Sequence, residues 1–173
     1  MADSVFELVA KNVLVSLQNI TTANGYEITP LVRRGGTDKD PDVKGVAQDP
    51  FTDAQTYTVD IEIQQLKYRQ DMPQTYGKRT WHMPFMLICT IMQSQKSAVQ
   101  TDAICNQIVA SVVKALMTDA QRGLYPATSN PLAIDTNLDG DIDMLVKVDG
   151  SCEGLLIPFS VQVRHAENDP YSQ

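Results

Sequence analysis

The longest apolar run of the chain lies between Trp81 and Met92 and predicts a central β-strand. Nearly every position from Met83 onward is apolar, whereas a strand with one solvated face alternates with a period of two. Both faces are therefore expected to contact protein: a helix on one side, and either a helix or another subunit on the other. A polar turn follows, and apolar residues three and four apart then predict an amphipathic helix over about 98–117.

Apolar spacings of three and four also predict an N-terminal helix that runs to about Ile20. Ser4 is the expected N-cap, and Glu7 stands three residues later, where its side chain would complete a capping box. The residues from Tyr26 to Val32 then predict a first strand, which Pro30 restricts to a sheet edge or a bulge.

Four further strands follow from the pattern. Alternation over residues 56–64 predicts a strand with one solvated face, and the last strand is expected over 155–165. Short strands over 132–136 and 142–148 are expected to form a β-hairpin, because Asp-Gly between alternating apolar runs is a strong hairpin signal. Stretches without periodicity predict extended loops at 35–55 and 67–79, and a short polar tail ends the chain.

The order of elements predicts one α+β domain over residues 1–173. Strands and helices do not alternate as βαβ units, so we expect a mixed, mostly antiparallel sheet flanked by two main helices, with long loops between strands. A chain of 173 residues with 43% hydrophobic content is sufficient for one full core.

Charge and cysteine content restrict the functional classes. A net charge of -7 and scattered basic residues argue against specific nucleic-acid binding, which needs clustered Lys and Arg, and suit a surface that DNA passes without binding. Three cysteines without paired spacing indicate a reduced, intracellular protein. No apolar run approaches the roughly 20 residues of a membrane span, and the N-terminus does not have the pattern of a signal peptide.

Residues 135–143 match the first nine positions of an EF-hand loop. Calcium would need a bidentate Glu at the twelfth position, which here is Val146, and the flanking residues predict strands instead of helices. The pattern therefore favours a plain hairpin and no cofactor, with calcium binding as the alternative. The candidate metal ligands are Asp135, Asn137, Asp139 and Asp141.

No motif indicates an enzyme. His82 and His165 have no His, Cys or carboxylate at a ligand spacing, so metal coordination and base catalysis are not expected. The sequence contains no nucleophile elbow, phosphate-binding loop, dinucleotide-binding glycine pattern or Cys-x-x-Cys.

Several segments share their layout with a known family. They are the N-terminal helix closed by Asn24-Gly25-Tyr26, the two long strands that lead into the helix at Thr101-Asp102, and the closing strand from Leu155 to His165 with its Asp169-Pro170-Tyr171 tail. In this layout, which covers nearly the whole chain, the sequence resembles the tail terminator, or tail completion, proteins of long-tailed bacteriophages.

The resemblance implies a virion protein, made in the host cytoplasm, that assembles into a hexameric ring at the head-proximal end of the tail. Such a ring caps the tail tube, stops its polymerisation and joins it to a head-completion or neck protein, and the family has no catalytic residues. The alternatives are another head-tail neck ring protein, or a small calcium-dependent binding module or divergent enzyme domain that uses residues 135–143.

The long loops are the expected contact regions of such a ring, because they are polar and contribute little to a core. The predicted interface residues are Arg33, Arg34, Asp38, Asp40, Tyr68, Arg69, Tyr76 and Lys78.

Overall fold

A computed structural model describes residues 3–35, 57–70, 78–93, 100–124, 130–146 and 152–166. These residues form two α-helices, a short 3-10 helix at Thr22–Asn24 and seven strands. The elements in chain order are α1 (Val5–Gln18), β1 (Leu31–Arg34), β2 (Tyr57–Gln65), β3 (Arg69–Gln70), β4 (Lys78–Gln93), α2 (Thr101–Thr118), β5 (Asp135–Leu138), β6 (Asp143–Val146) and β7 (Cys152–Ala166).

All seven strands belong to one sheet, ordered β1-β2-β4-β7-β5, in which β3 also pairs with β4 and β6 with β7. The β1–β2 pair is parallel and every other pair is antiparallel. The expected α+β class, with a mixed, mostly antiparallel sheet flanked by two helices, is therefore confirmed.

Alternation along the strands sorts their side chains onto two faces. The odd-numbered residues of β2, β4 and β7 form the inner face, which packs with both helices in a single core. This core contains the stacked pair Phe85 and Phe159, with ring centroids 4.9 Å apart. The core also contains Leu87 of β4, Val161 of β7, and Ile104, Ile108 and Val112 of α2.

The even-numbered residues of these strands form the outer face, and no helix among the described residues packs on it. On β4, Pro84, Met86 and Ile88 are half-buried there, while Thr90 and Met92 are exposed. We expected both faces of β4 to contact protein. Within the described residues, the helices cover only its inner face.

The start of the chain corrects two predictions. The first strand begins at Leu31 instead of Tyr26, after the 3-10 turn, and as predicted it lies at a sheet edge. The Ser4 side chain accepts a hydrogen bond from the Glu7 N–H at 3.3 Å, but the capping box is incomplete. The Glu7 carboxylate is instead bound by the Arg34 guanidinium at 2.8 and 3.4 Å, since a charge-assisted bidentate contact is stronger than a bond to one backbone N–H.

The expected hairpin at Asp139-Gly140 is wrong. Both β5 and β6 pair with β7, at successive stretches of the same side, and the described residues show no pairing between them. They form one edge strand that is interrupted at Gly140, which has a φ of 79°. A glycine at positive φ suits a break in an edge strand as well as a tight turn, so the Asp-Gly signal alone does not separate the two.

Two prolines lie opposite breaks in the neighbouring strands. The Pro84 carbonyl of β4 accepts from the Leu66 N–H between β2 and β3, and the Pro158 carbonyl of β7 accepts from the Asp139 N–H between β5 and β6. Since the N and the C=O of one residue point to the same side of a strand, each proline nitrogen faces the same residue, Leu66 or Asp139, whose N–H its carbonyl accepts. Each ring therefore removes one hydrogen bond of its pair, at a place where the neighbouring strand already ends.

Candidate functional site

The described residues contain no group of three or more His, Cys, Asp or Glu side chains placed to hold a metal ion. The two histidines lie on opposite faces of the sheet, since His82 is even-numbered on β4 and His165 is buried on the inner face of β7. His165 stacks on Trp81, with ring centroids 6.2 Å apart and planes at 16°, and meets Phe6 edge-on. They do not form a shared catalytic pair.

The acidic stretch around Asp139 follows a sheet edge instead of closing around an ion. Asp135 and Asn137 lie on β5 and point to the outer face opposite Gln162 and Ser160. The Thr136 side chain between them points inward and is buried. All four candidate ligands, Asp135, Asn137, Asp139 and Asp141, are exposed along the interrupted edge.

The cysteines offer no reactive thiol in the described core. Cys89 and Cys105 are buried in the core. Burial raises the pKa of the Cys89 thiol to about 12, so the thiolate that would act as a nucleophile is not formed at neutral pH.

Arg33 and Arg34 are the last two residues of β1 and lie directly before the predicted loop at 35–55. Arg33 lies on the outer face, where its Nη2 contacts Asp60 at 3.1 Å and Glu62 at 3.5 Å. Arg34 points to the other face and ties β1 to α1 through Glu7, so its role is structural.

The second predicted contact region is also partly strand. Arg69 pairs across from His82 as part of β3, and Lys78 is the first residue of β4. Tyr68 is half exposed, and its ring lies 5.1 Å from that of Phe6. The remaining predicted interface residues, Asp38, Asp40 and Tyr76, lie outside the described residues.

The outer face of the sheet has an apolar centre and polar sides. Ile88 of β4 lies directly opposite Leu156 of β7, and the next pairs along these strands are Met86 with Pro158 and Pro84 with Ser160. On the β2 side the face ends in Asp60 and Glu62 beside Arg33. A contiguous apolar strip with a charged rim is typical of a protein-contact surface.

Asp60 is the most perturbed acid of this face. Its Oδ2 contacts Arg33, whereas Oδ1 is buried and has no hydrogen-bond partner among the described residues. Burial raises the pKa of this carboxyl; Arg33 opposes the shift and Glu62 adds to it. The nearby Thr58 hydroxyl is likewise buried without a partner in the described part of the chain.

The outer face is concave between β3 and β5. A depression of about 720 Å³ lies over His82 and Ser160, with Arg69 on one side and Asp139 on the other. Ser160 of β7 is 5% exposed, so the sheet itself forms the floor of this depression.

The two edge strands of the sheet expose apolar side chains. Leu31 of β1 is 58% exposed, and on the opposite edge Met144 and Val146 of β6 are 49% and 57% exposed. Exposed apolar residues are uncommon on edge strands, because the unpaired backbone N–H and C=O groups of such a strand can already pair with a strand of another chain.

A buried arginine was not anticipated by the sequence analysis. Arg122 follows α2 with a φ of 58°, and its guanidinium donates to the Thr136 hydroxyl at 3.0 Å and to the Leu116 carbonyl oxygen. Burial lowers its pKa to about 10, an effect that the charge of Asp119 partly offsets. Arg122 therefore connects the end of α2 to β5, and its signal in the sequence is only a basic residue before Gly123.

No protein-family model and no curated protein matches the sequence. Within the described residues, no helix is both long enough and apolar enough to cross a membrane.

Proposed function

We propose that this chain is a structural virion subunit, a tail terminator that forms a ring on the head-proximal end of a phage tail tube. The observation that carries the proposal is the division of the sheet: both helices pack on the inner face, while the apolar strip of the outer face has no cover in the described chain. A subunit that buries this strip in an assembly gains the apolar contact that its own helices do not supply.

The chemistry of the described side chains supports a structural role. The inner face is filled by packing residues, burial raises the pKa of the Cys89 thiol, and the acidic edge is open to solvent. The proposed assembly is a hexamer that contacts the tail tube protein on one side and a head-completion or neck protein on the other.

The charge of the chain suits passage of DNA through such a ring. Each subunit has a net charge of -7, so a ring of several copies repels the phosphate backbone. DNA then crosses the lumen without specific binding, as a conduit requires. A neck ring elsewhere in the head-tail joint would share these properties, and the following assay separates the two.

The test is inactivation of the coding sequence followed by electron microscopy of the particles released on lysis. A terminator predicts tails of abnormal length that lack heads, whereas a neck ring predicts tails of normal length that fail to join. Particles with joined tails of normal length would contradict both roles.

Complementation with matched variants then tests the outer face. Met92→Lys places a charge on the outer face of β4, and Met117→Lys places the same charge on α2, at residues that are 44% and 40% exposed. Both proteins should fold, because both side chains already reach solvent. Met117→Lys should restore normal tails, and Met92→Lys should not; equal restoration by both would place the contact elsewhere.

A further inference from the structure

Both edges of the sheet end in short strands that pair on one side only among the described residues. β1 pairs with β2 and β6 pairs with β7, and the two strands stand at the same level of the sheet. One row of directly opposed residues crosses five strands: Arg33 of β1, Glu62 of β2, Ile88 of β4, Leu156 of β7 and Asp143 of β6. The sheet therefore ends in a cation on one edge and in a carboxylate on the other, on the same face.

The strand directions allow the sheet to continue from one copy to the next. β1 runs parallel to β2, β2 runs opposite to β4, β4 opposite to β7 and β7 opposite to β6. β1 and β6 thus point in opposite directions. A second copy placed beside the first in the same orientation would bring its β1 antiparallel to β6, which is the arrangement that ordinary ladder hydrogen bonds require.

The backbone groups at the β1 edge have the correct alternation. The Gly35 N–H donates to the Ile63 carbonyl oxygen at 2.8 Å, so odd-numbered residues of β1 direct their N–H and C=O towards β2. Val32 lies between them. Its N–H and C=O consequently point away from the sheet, to the free edge.

The same reasoning applies to the β6 edge. The Pro158 carbonyl oxygen accepts from the Asp139 N–H, so even-numbered residues of β7 direct their backbone groups towards β5 and β6. Asp143 and Leu145, which oppose even-numbered residues of β7, face back towards it. The N–H and C=O of Met144 therefore point to the free edge, as those of Val32 do on the other side.

We infer that β6 of one copy pairs antiparallel with β1 of the next copy, so that subunits associate head to tail through opposite edges of the sheet. The inference names the contact between neighbours in the proposed ring, and in that sense it rests on the proposed function. If the rows of opposed residues continue into the next copy, Asp143, Met144 and Leu145 of β6 lie opposite Arg33, Val32 and Leu31 of the next copy's β1.

Each of these opposed pairs is favourable. Met144 and Val32 exchange two backbone hydrogen bonds, and the exposed Leu31 side chain is covered by Leu145. The Arg33 side chain contacts Asp60 and Glu62 through Nη2 and is 48% exposed, so its guanidinium can also donate to Asp143 of the next copy. Whether repeated contacts of this head-to-tail kind close into a ring is set by the rotation between copies.

The test uses two variants that block opposite edges. Met144→Pro removes an N–H that points away from its own sheet, so it should leave the fold intact and block β6. Leu31→Lys places a charge at an exposed position of β1. If Met144→Pro fails to fold by circular dichroism, Met144→Lys takes its place, and Met117→Lys on α2 serves as the control.

The readout is mass by light scattering after size-exclusion chromatography. The unmodified chain and the α2 control should form assemblies larger than one subunit, and each edge variant alone should stay at the 19.1 kDa of one chain. An equimolar mixture of the two variants should give only a one-to-one dimer, because it contains one intact pair of edges. A contact between two identical edges would instead let one variant dimerise alone.

Assemblies of unchanged size from both edge variants would overturn the inference, and so would an unmodified chain that stays monomeric. Either result differs from failure of the proposed function, which is read from tail length and head joining in the lysate. A ring assembled through another surface would still cap tails, whereas a protein that does not cap tails could still form an edge-paired oligomer.

Discussion

Neighbouring residues of β4 experience opposite surroundings. Leu87 is fully buried under the helices, whereas Ile88, one residue later and of nearly the same volume, is half-buried on the outer face. On β2 the polarity changes with the face: Ile61 and Ile63 point inward and Glu62 points outward. β4 remains apolar on the side that the described residues leave uncovered.

This contrast separates two reasons for an apolar residue. The inner face of β4 is apolar because the isolated subunit must have a core. We propose that the outer face is apolar because it contacts another surface in an assembly. On this proposal, a continuous apolar strand predicts how many faces are buried in the assembly, and not how many are buried by one chain.

The largest expected effect is a difference between Leu87→Ala and Ile88→Ala. Leu87→Ala should cost about 2–5 kcal/mol of unfolding free energy, since it leaves a cavity in a fully packed core. Ile88→Ala should cost only about 1 kcal/mol in the isolated subunit, because that side chain is only partly buried. Urea unfolding measures both, and equal losses would mean that the outer face is already covered within the chain.

Asp60→Asn should have a smaller effect, with a defined pH dependence. Burial raises the pKa of the folded carboxyl, so its protonated form contributes stability that is present below the ordinary value of 3.8 and is lost as pH rises through the folded value. Asparagine resembles the protonated acid. The variant should therefore be more stable than the parent at neutral pH, by less than about 1 kcal/mol, and equal to it in strong acid.

Urea unfolding of both proteins across this pH range provides the comparison. A variant that is less stable at neutral pH would show that the Arg33 contact outweighs burial, so the outer face would not desolvate its acids as described.

The smallest expected effect is that of calcium, which should leave the melting temperature unchanged at millimolar concentration. The candidate ligands follow an exposed strand edge, and the twelfth position of the loop is Val146 instead of a bidentate Glu. Asp135→Ala is the control. A rise of several degrees in the parent that is absent from this variant would establish a site at the acidic edge.

Periodicity predicted most of the fold, because it reports directly on burial. The helix positions, the strand β2, the central strand β4 and the closing strand β7 were all found close to their expected bounds. The predicted capping residue Ser4 does accept the Glu7 N–H, since that contact depends only on residues three apart.

Pairing partners were less predictable, because they depend on long-range contacts that local sequence does not encode. Asp139-Gly140 has the local signal of a hairpin, yet β7 is long enough to pair with both flanking strands in succession. The same limit applies to Arg122, whose burial requires β5 to fold back against the end of α2, so that Thr136 and the Leu116 carbonyl oxygen both lie beside its guanidinium. β1 likewise extends past its predicted end at Val32 to Arg34, because β2 supplies a parallel partner.

We propose that the outer face is covered in the assembly, and methionine oxidation reports such a cover. Met92 on the outer face and Met117 on α2 are similarly exposed in the isolated subunit, so mild peroxide should oxidise both at comparable rates. Mass spectrometry of peptides from the purified chain and from assembled tails gives the two rates in each state. Assembly should protect Met92 and leave Met117 reactive; equal protection of both residues, or protection of Met117 alone, would show that the outer face is not the contact surface.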